Sequence, residues 1–255
     1  MIIQFTEAEL QNLIIQPVAR PECSAVYLEE REQAWVAQME RVLARNGHMW
    51  NGELYTLDEI QSLIEGQVVL RLGTCEYKDL VFQALQGGAT IATRFGENHC
   101  LHFSGVICVP VTLDGKFVFG IRADRGEPTF GGIGGNLNKD EQEVHSFTDI
   151  CQSMLREIQE ETALPCQMED LRFFGLHVSG GMHIFWFTAL LPINSADINQ
   201  YHRPGEFSSL ITMTQSEAFD PTLPITGAFR RWRPYLHLLS PLLDGAEQVA
   251  LPREE

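Results

Sequence analysis

The run Arg156-Glu157-Ile158-Gln159-Glu160-Glu161-Thr162-Ala163-Leu164 constrains this chain more than any other stretch. Upstream, Phe147, Ile150 and Met154, with Cys151 beside them, continue the apolar position of Ile158 at offsets of three and four. That periodicity predicts a long helix over 144–163 with one face in a core. In such a helix Glu157, Glu160 and Glu161 fall together on another side, because residues three and four apart are neighbours on a helix surface. Three adjacent carboxylates repel one another and add nothing to a bare helix. A hard divalent cation offsets that repulsion, since Mg²⁺ prefers oxygen ligands and shares its shell with substrate phosphates. Arg156, next in line, can pair with one carboxylate and fix its rotamer. The competing reading is a plain solvated acidic face, which an isolated Glu-Glu pair usually is.

The upstream context separates the two readings. Gly134-Gly135 precede the helix, and Glu141 follows Gly135 after five intervening residues. The pattern Gly-x5-Glu…Arg-Glu-Ile-x-Glu-Glu-x-Ala-Leu resembles the Nudix box, a loop-helix-loop that binds Mg²⁺ and pyrophosphate. The resemblance implies metal-assisted attack by water on a diphosphate, with Mg²⁺ as cofactor and Mn²⁺ as an alternative. It implies Arg156, Glu157, Glu160 and Glu161 as catalytic residues, with Glu157 and Glu161 the principal metal ligands. Glu160 is then a third ligand or a water contact. Gly134 and Gly135 let the backbone pass close to helix, metal and substrate, where the alternative is an ordinary turn. Two departures from the usual pattern stand out. Fourteen residues separate Glu141 from Arg156, longer than usual by about two helical turns, so Glu143 is a substitute for Glu141. Ala163 also replaces the usual glycine, although Pro165 can stop the helix independently.

A chain of 255 residues is long enough for one large domain or two smaller ones. Its formal charge of −16 argues against nucleic acid and anionic membranes as partners. The same charge opposes an anionic substrate, so phosphate binding must rely on metal and local arginines. Arg122 and Arg125, just past a predicted strand, are the candidates. Six scattered cysteines without a C-x-x-C pair suggest reduced thiols and a cytoplasmic location. The N-terminal stretch has no basic region ahead of its apolar residues and does not read as a signal peptide. No apolar stretch reaches membrane-spanning length.

Two textures follow one another along the chain. Residues 1–98 read as an α+β region, with a helix over 29–46 that faces inward through Trp35, Met39, Val42 and Leu43. A strand over 67–72 and a helix over 77–85 follow. Residues 99–255 read as the domain carrying the box. Strands over 106–113 and 116–122 flank the hairpin signal Asp114-Gly115, although Pro110 weakens the first. After a glycine-rich loop over 131–135 and the long helix, a second hairpin spans 171–178 and 182–191. A strand over 208–214 and a C-terminal helix over 226–243, interrupted by Pro234, complete the pattern. The expected fold class is α/β, a Nudix-type α/β/α sandwich around a mixed sheet, preceded by the α+β region. His177 and His183 on the second hairpin, and His145 in the insertion after Glu141, are better explained as structural histidines than as proton carriers.

A narrower resemblance points to a substrate. The spans LRLGTCEYKDLVFQAL (70–85), FVFGIRADRG (117–126) and EVHSFTDICQSMLREIQEETALP (143–165) look like the Nudix branch that hydrolyses UDP-glucose and UDP-galactose. Leu72-Gly73 and Tyr77-Lys78-Asp79 match its Leu-Gly…Tyr-x-Asp segment. The branch implies that residues before 100 help form a nucleotide pocket, with Tyr77 against substrate, although Tyr77 and Asp79 also suit a structural role. The expected reaction converts a small-molecule nucleotide-sugar to UMP and a sugar 1-phosphate. The alternatives are another nucleoside diphosphate derivative, such as ADP-ribose or a dinucleoside polyphosphate, or a catalytically weak nucleotide-binding module. The apolar segment over 10–15 covers either the core or a homodimer interface.

Overall fold

The computed structural model describes residues 1–20, 22–44, 47–62, 66–122, 128–225 and 233–239. The order of elements begins β1 (Ile2–Ile3), α1 (Glu7–Gln11), β2 (Ile14–Pro17), α2 (Ala25–Leu43), β3 (Glu53–Ser62) and β4 (Val68–Glu76). It continues with α3 (Tyr77–Gln86), α4 (Gly88–Phe95), β5 (Phe103–Cys108), β6 (Phe117–Arg122) and β7 (Thr129–Gly131). The last elements are α5 (Phe147–Glu161), β8 (Leu171–Ser179), β9 (Met182–Ala189), β10 (Ser209–Met213) and α6 (Gln215–Ala218). One sheet has the order β1-β8-β9-β5-β3-β4-β2, and a second has the order β10-β6-β7. The larger sheet is mixed, as expected for an α/β fold. β3 and β4 are antiparallel while β2 and β4 are parallel. β9 also ascends with β5: the Phe103 N–H bonds to Gly181 and the Val109 N–H to Phe187. Among the described residues no helix is long and apolar enough to cross a membrane.

The chain divides into two compact units. The first comprises Met1–Val106, Asn136–Ile150 and Gly175–Phe185, and so contains the whole of 1–98. Its α2 begins earlier than the apolar pattern predicts, because the Ser24 side chain accepts from the Tyr27 N–H and caps it. The buried stripe is Tyr27, Arg31 and Trp35, and Leu43 is exposed. A buried arginine in the middle of the stripe is invisible to hydrophobic periodicity. Its partners are Asp79 on α3, which is fully buried, and Glu76, 2.9 Å from the guanidinium. Asp79 accepts from Arg20 at 2.7 and 3.0 Å, from the Tyr27 hydroxyl at 3.0 Å and from Arg31 at 2.9 Å. The Glu76 N–H also donates to it at 2.9 Å. Burial works against ionisation of this carboxyl, but the Arg20 and Arg31 guanidiniums hold it below the usual aspartate range. Asp79 is therefore the anchor of this unit. Beside it lie two apolar clusters, Leu54, Cys75, Leu101 and Phe103, and Tyr27, Phe82 and Ile91.

The second unit comprises Ile107–Gly135, Cys151–Phe174 and Trp186–Glu255. The turn at Asp114-Gly115 forms, with Gly115 at φ 72° and the Thr112 N–H bonded to Lys116. The strand expected over 106–113 nevertheless ends at Cys108. Pro110 has no N–H to extend a ladder, and it contributes only its carbonyl, which accepts from Val118. β6 instead pairs antiparallel with β7 and β10. The second hairpin forms as expected around Gly180-Gly181, and β10 occupies most of the strand expected over 208–214. The C-terminal helix expected over 226–243 lies outside the described residues except for a 3-10 segment, Arg233–Leu239. Cys23, Cys75, Cys100, Cys108, Cys151 and Cys166 are all free.

Candidate active site

Helix α5 presents the glutamates; a side-chain cap sets its start, and backbone bonds rather than proline set its end. At its start Ser146 and Asp149 cap one another: Asp149 accepts from the Ser146 N–H at 2.8 Å and donates its own N–H to the Ser146 hydroxyl at 3.4 Å. The helix therefore opens at Phe147, not at 144. It closes at Glu161, four residues before Pro165, because the Ala163 N–H turns away to bond Tyr201 and Thr162 bridges to His202. Met154 and Ile158 are fully buried and fix the rotation of the helix about its axis.

That rotation brings Glu157 and Glu161, one turn apart, against a single loop. The Gly134 N–H donates to Oε2 of Glu161 at 3.0 Å. Gly135 lies so close to Glu157 that a Cβ there would stand 2.7 Å from both carboxylate oxygens. Gly134 has φ 153°, which favours glycine. The loop is anchored just upstream, where Ile133 and Cys108 exchange backbone hydrogen bonds of 2.7 and 3.0 Å. The two glycines thus let a backbone pass within contact of two acids.

The three carboxylates are not equivalent. Glu161 is 7% exposed, and burial pushes its pKa up to about 7 against the Gly134 N–H and the Arg122 charge, with Glu160 adding to the rise. Glu157 is half-buried. Glu160 is exposed, and Arg156 Nε stands 3.7 Å from its carboxylate. Arg156 thus pairs with Glu160, one turn on.

Arg122 closes the other side. Its guanidinium ion-pairs with Glu206, stands 3.7 Å from Oε1 of Glu161 and lies over the Phe207 ring at 5.2 Å. Phe207 is buried against Gly120, where a Cβ would come within 2.2 Å of the ring. Glu206 and Phe207 escaped the sequence reading because they are more than eighty residues from Arg122. Their position follows from the register of the sheet: Ser209 faces Ile121, so the residues ahead of β10 run past Arg122.

Several of the other expected residues belong to the first unit. Tyr77 belongs to the first unit, with its ring edge-on to Trp35 at 6.2 Å and its N–H bonded to Gly52. Glu141 and Glu143 are exposed in the first unit, with Glu143 3.0 Å from His145. His183 is a packed histidine, its Nδ1 2.9 Å from the Leu57 carbonyl and its ring 4.7 Å from His102. Arg125 lies outside the described residues.

Among the described residues no three His, Cys, Asp or Glu side chains converge enough to hold a metal on protein ligands alone. Glu157 and Glu161, converging on one glycine loop, fit a different arrangement. Mg²⁺ is commonly held by one or two carboxylates, with water and substrate phosphates completing its shell. An oxygen-only donor pair suits a hard cation, and Arg122 beside it suits a phosphate.

No family profile and no curated protein sequence matches the chain. Solved structures similar to it include a NUDIX-family hydrolase from Clostridium perfringens. That likeness has 12% identity and a TM-score of 0.37, covering 56% of this chain and 97% of that one. RenU, a Nudix hydrolase from M. smegmatis, is similar at 14% identity and a TM-score of 0.37, covering 60% of this chain and 89% of that one. The NUDIX domain of Shewanella oneidensis NrtR, complexed with ADP ribose, is similar at 15% identity and a TM-score of 0.40. In that case 56% of this chain and 87% of the other are covered.

Proposed function

We propose that the chain is a Mg²⁺-dependent Nudix pyrophosphohydrolase that cleaves UDP-glucose or UDP-galactose to UMP and a sugar 1-phosphate. The observation that carries this reading is the seating of Glu157 and Glu161 on Gly134-Gly135, with Arg122 beside Glu161. When bound, a divalent cation supplies neutralisation of phosphoryl oxygens and activation of water. Glu157 and Glu161 hold it, with Glu160 as a third ligand or a water contact. The Gly134 N–H fixes the orientation of Glu161. Arg122 accepts the diphosphate through a planar fork of donors and stabilises charge that develops as the anhydride bond breaks. Arg125, three residues on, is proposed as a second phosphate contact. The choice of a UDP-sugar rests on the sequence resemblance across 70–85, 117–126 and 143–165.

The test is product release from UDP-glucose, UDP-galactose, ADP-ribose and diadenosine polyphosphates, with Mg²⁺, with Mn²⁺ and with chelator. The expected result is chelator-sensitive turnover confined to the UDP-sugars, lost in Glu157→Gln and Glu161→Gln. Turnover of either variant within tenfold of wild type, about 1.4 kcal/mol of barrier, overturns the assigned roles. Turnover of the adenine compounds alone overturns the substrate and leaves the chemistry.

A further inference from the structure

A cavity of about 260 Å³ opens in the first unit, against β3 and β4 and the segments around 18–20 and 97–102. It falls just below the roughly 300–1,000 Å³ of pockets for drug-sized ligands, so its occupant is small. The charge of its wall decides the chemistry. Arg20 lines it, but that guanidinium is already committed to Asp79 through two hydrogen bonds. Asp58 and Glu97 also line it, and neither side chain makes an ion pair or hydrogen bond among the described residues. The uncompensated charge is therefore negative. A phosphate or carboxylate ligand would face two unpaired acids.

Local backbone geometry aims these groups. Leu57 faces Leu72 and Glu59 faces Arg71, which leaves Asp58 as the extra residue of a bulge in β3. Bulges commonly re-aim a side chain out of the regular ladder. Two oxygens then converge over Gly73: a Cβ there would stand 2.6 Å from Asp58 Oδ2 and 2.8 Å from Thr56 Oγ1. Thr56 is 2% exposed, lines the cavity and has no hydrogen-bond partner for its hydroxyl among the described residues. That hydroxyl opens on the cavity, where a donor on a ligand can reach it. Val18, Ala19 and Leu101 supply an apolar wall beside these oxygens.

We propose that this cavity binds a compact alkylammonium ligand. The Asp58 carboxylate and the Thr56 hydroxyl receive the ammonium, Glu97 provides a second acidic contact, and the alkyl portion lies on Val18 and Leu101. The proposal is independent of the hydrolase reading. The test is isothermal titration of the full chain with putrescine, and with butanediol as the neutral analogue. Salt at about 0.15 M screens the general attraction of an acidic protein for cations. Saturable one-to-one binding of putrescine, absent for butanediol, is expected. Asp58→Asn, an exposed position that spares the fold, is expected to weaken binding at least tenfold, and Thr56→Val to weaken it as well. Glu29→Gln, on the outer face of α2, is expected to leave it unchanged. Failure of putrescine to saturate, equal binding of butanediol, or equal weakening by Glu29→Gln and Asp58→Asn overturns the proposal.

Discussion

Replacing Gly135 by alanine adds one carbon at the point where loop and helix meet most closely. The new Cβ would stand 2.7 Å from both Glu157 oxygens and 2.8 Å from its Cδ, where ordinary contact begins at 3.4 Å. The carboxylate must retreat by about 0.7 Å. It sits at the end of a flexible side chain, so it can do so by turning away from its rotamer, at about 0.5–1.5 kcal/mol. For a chain of this size that corresponds to a fall in Tm of only a few degrees, on the order of 2–4 °C per kcal/mol. Catalysis is far less forgiving. A misplacement of about 1 Å in a reacting constellation can cost on the order of a hundredfold in rate. Gly135→Ala is therefore expected to melt close to wild type while losing about one to two orders of magnitude in Mg²⁺-dependent nucleotide hydrolysis. Thermal unfolding by circular dichroism and phosphate-product release at saturating Mg²⁺ measure the two quantities on one preparation. Activity within threefold of wild type in a folded variant would refute the reasoning, since the carboxylate position would then not matter.

Other perturbations test the frame. Asp79→Ala removes the fully buried anion shared by Arg20, Arg31 and Tyr27 and leaves Arg31 only Glu76, and urea denaturation should show a loss of about 3–5 kcal/mol; a loss below about 1 kcal/mol would show that Asp79 is no anchor. Gly120→Ala drives a Cβ to 2.2 Å from a buried ring that has little room to move, so it should destabilise by about 1–3 kcal/mol, read by the same assay. His183 is held down at about 4 by burial, with His102 and His177 adding to the effect. Its folded pKa thus lies below the unfolded value of about 6.5, so the unfolded chain binds the proton first. Stability should be full above about pH 6.5 and fall toward pH 4, and His183→Gln should flatten that part of the stability profile in chemical denaturation. An unchanged slope would place the acid sensitivity elsewhere.

The spacing of Glu157 and Glu161 was legible because helical offsets are local. What was not legible is that Glu161 is buried and Glu160 is exposed, since burial of an acid depends on what packs against the helix. Arg122 was visible as a candidate, but its partners Glu206 and Phe207 enter through strand register. In the first unit β3 was missed, because Leu54, Tyr55, Thr56 and Leu57 are buried in succession and give no alternation. Helix α4 has no such signal, because a Gly-Gly pair such as Gly87-Gly88 ordinarily marks a turn, whereas here Gly88 begins the helix. The apolar stripe of α2 was placed too far along the chain, since Arg31 fills an inward position only when Asp79 stands opposite.

The larger sheet ends on one side at β2, four residues paired in parallel with β4. An exposed strand margin is a template on which another chain can grow, and short strands and proline are common ways of blunting it. Here the outermost strand is brief, and Pro17 offers no amide hydrogen to an incoming neighbour. The margin can hold β4 in place while giving little purchase for a further strand. Self-association by sheet extension is thus discouraged at this border.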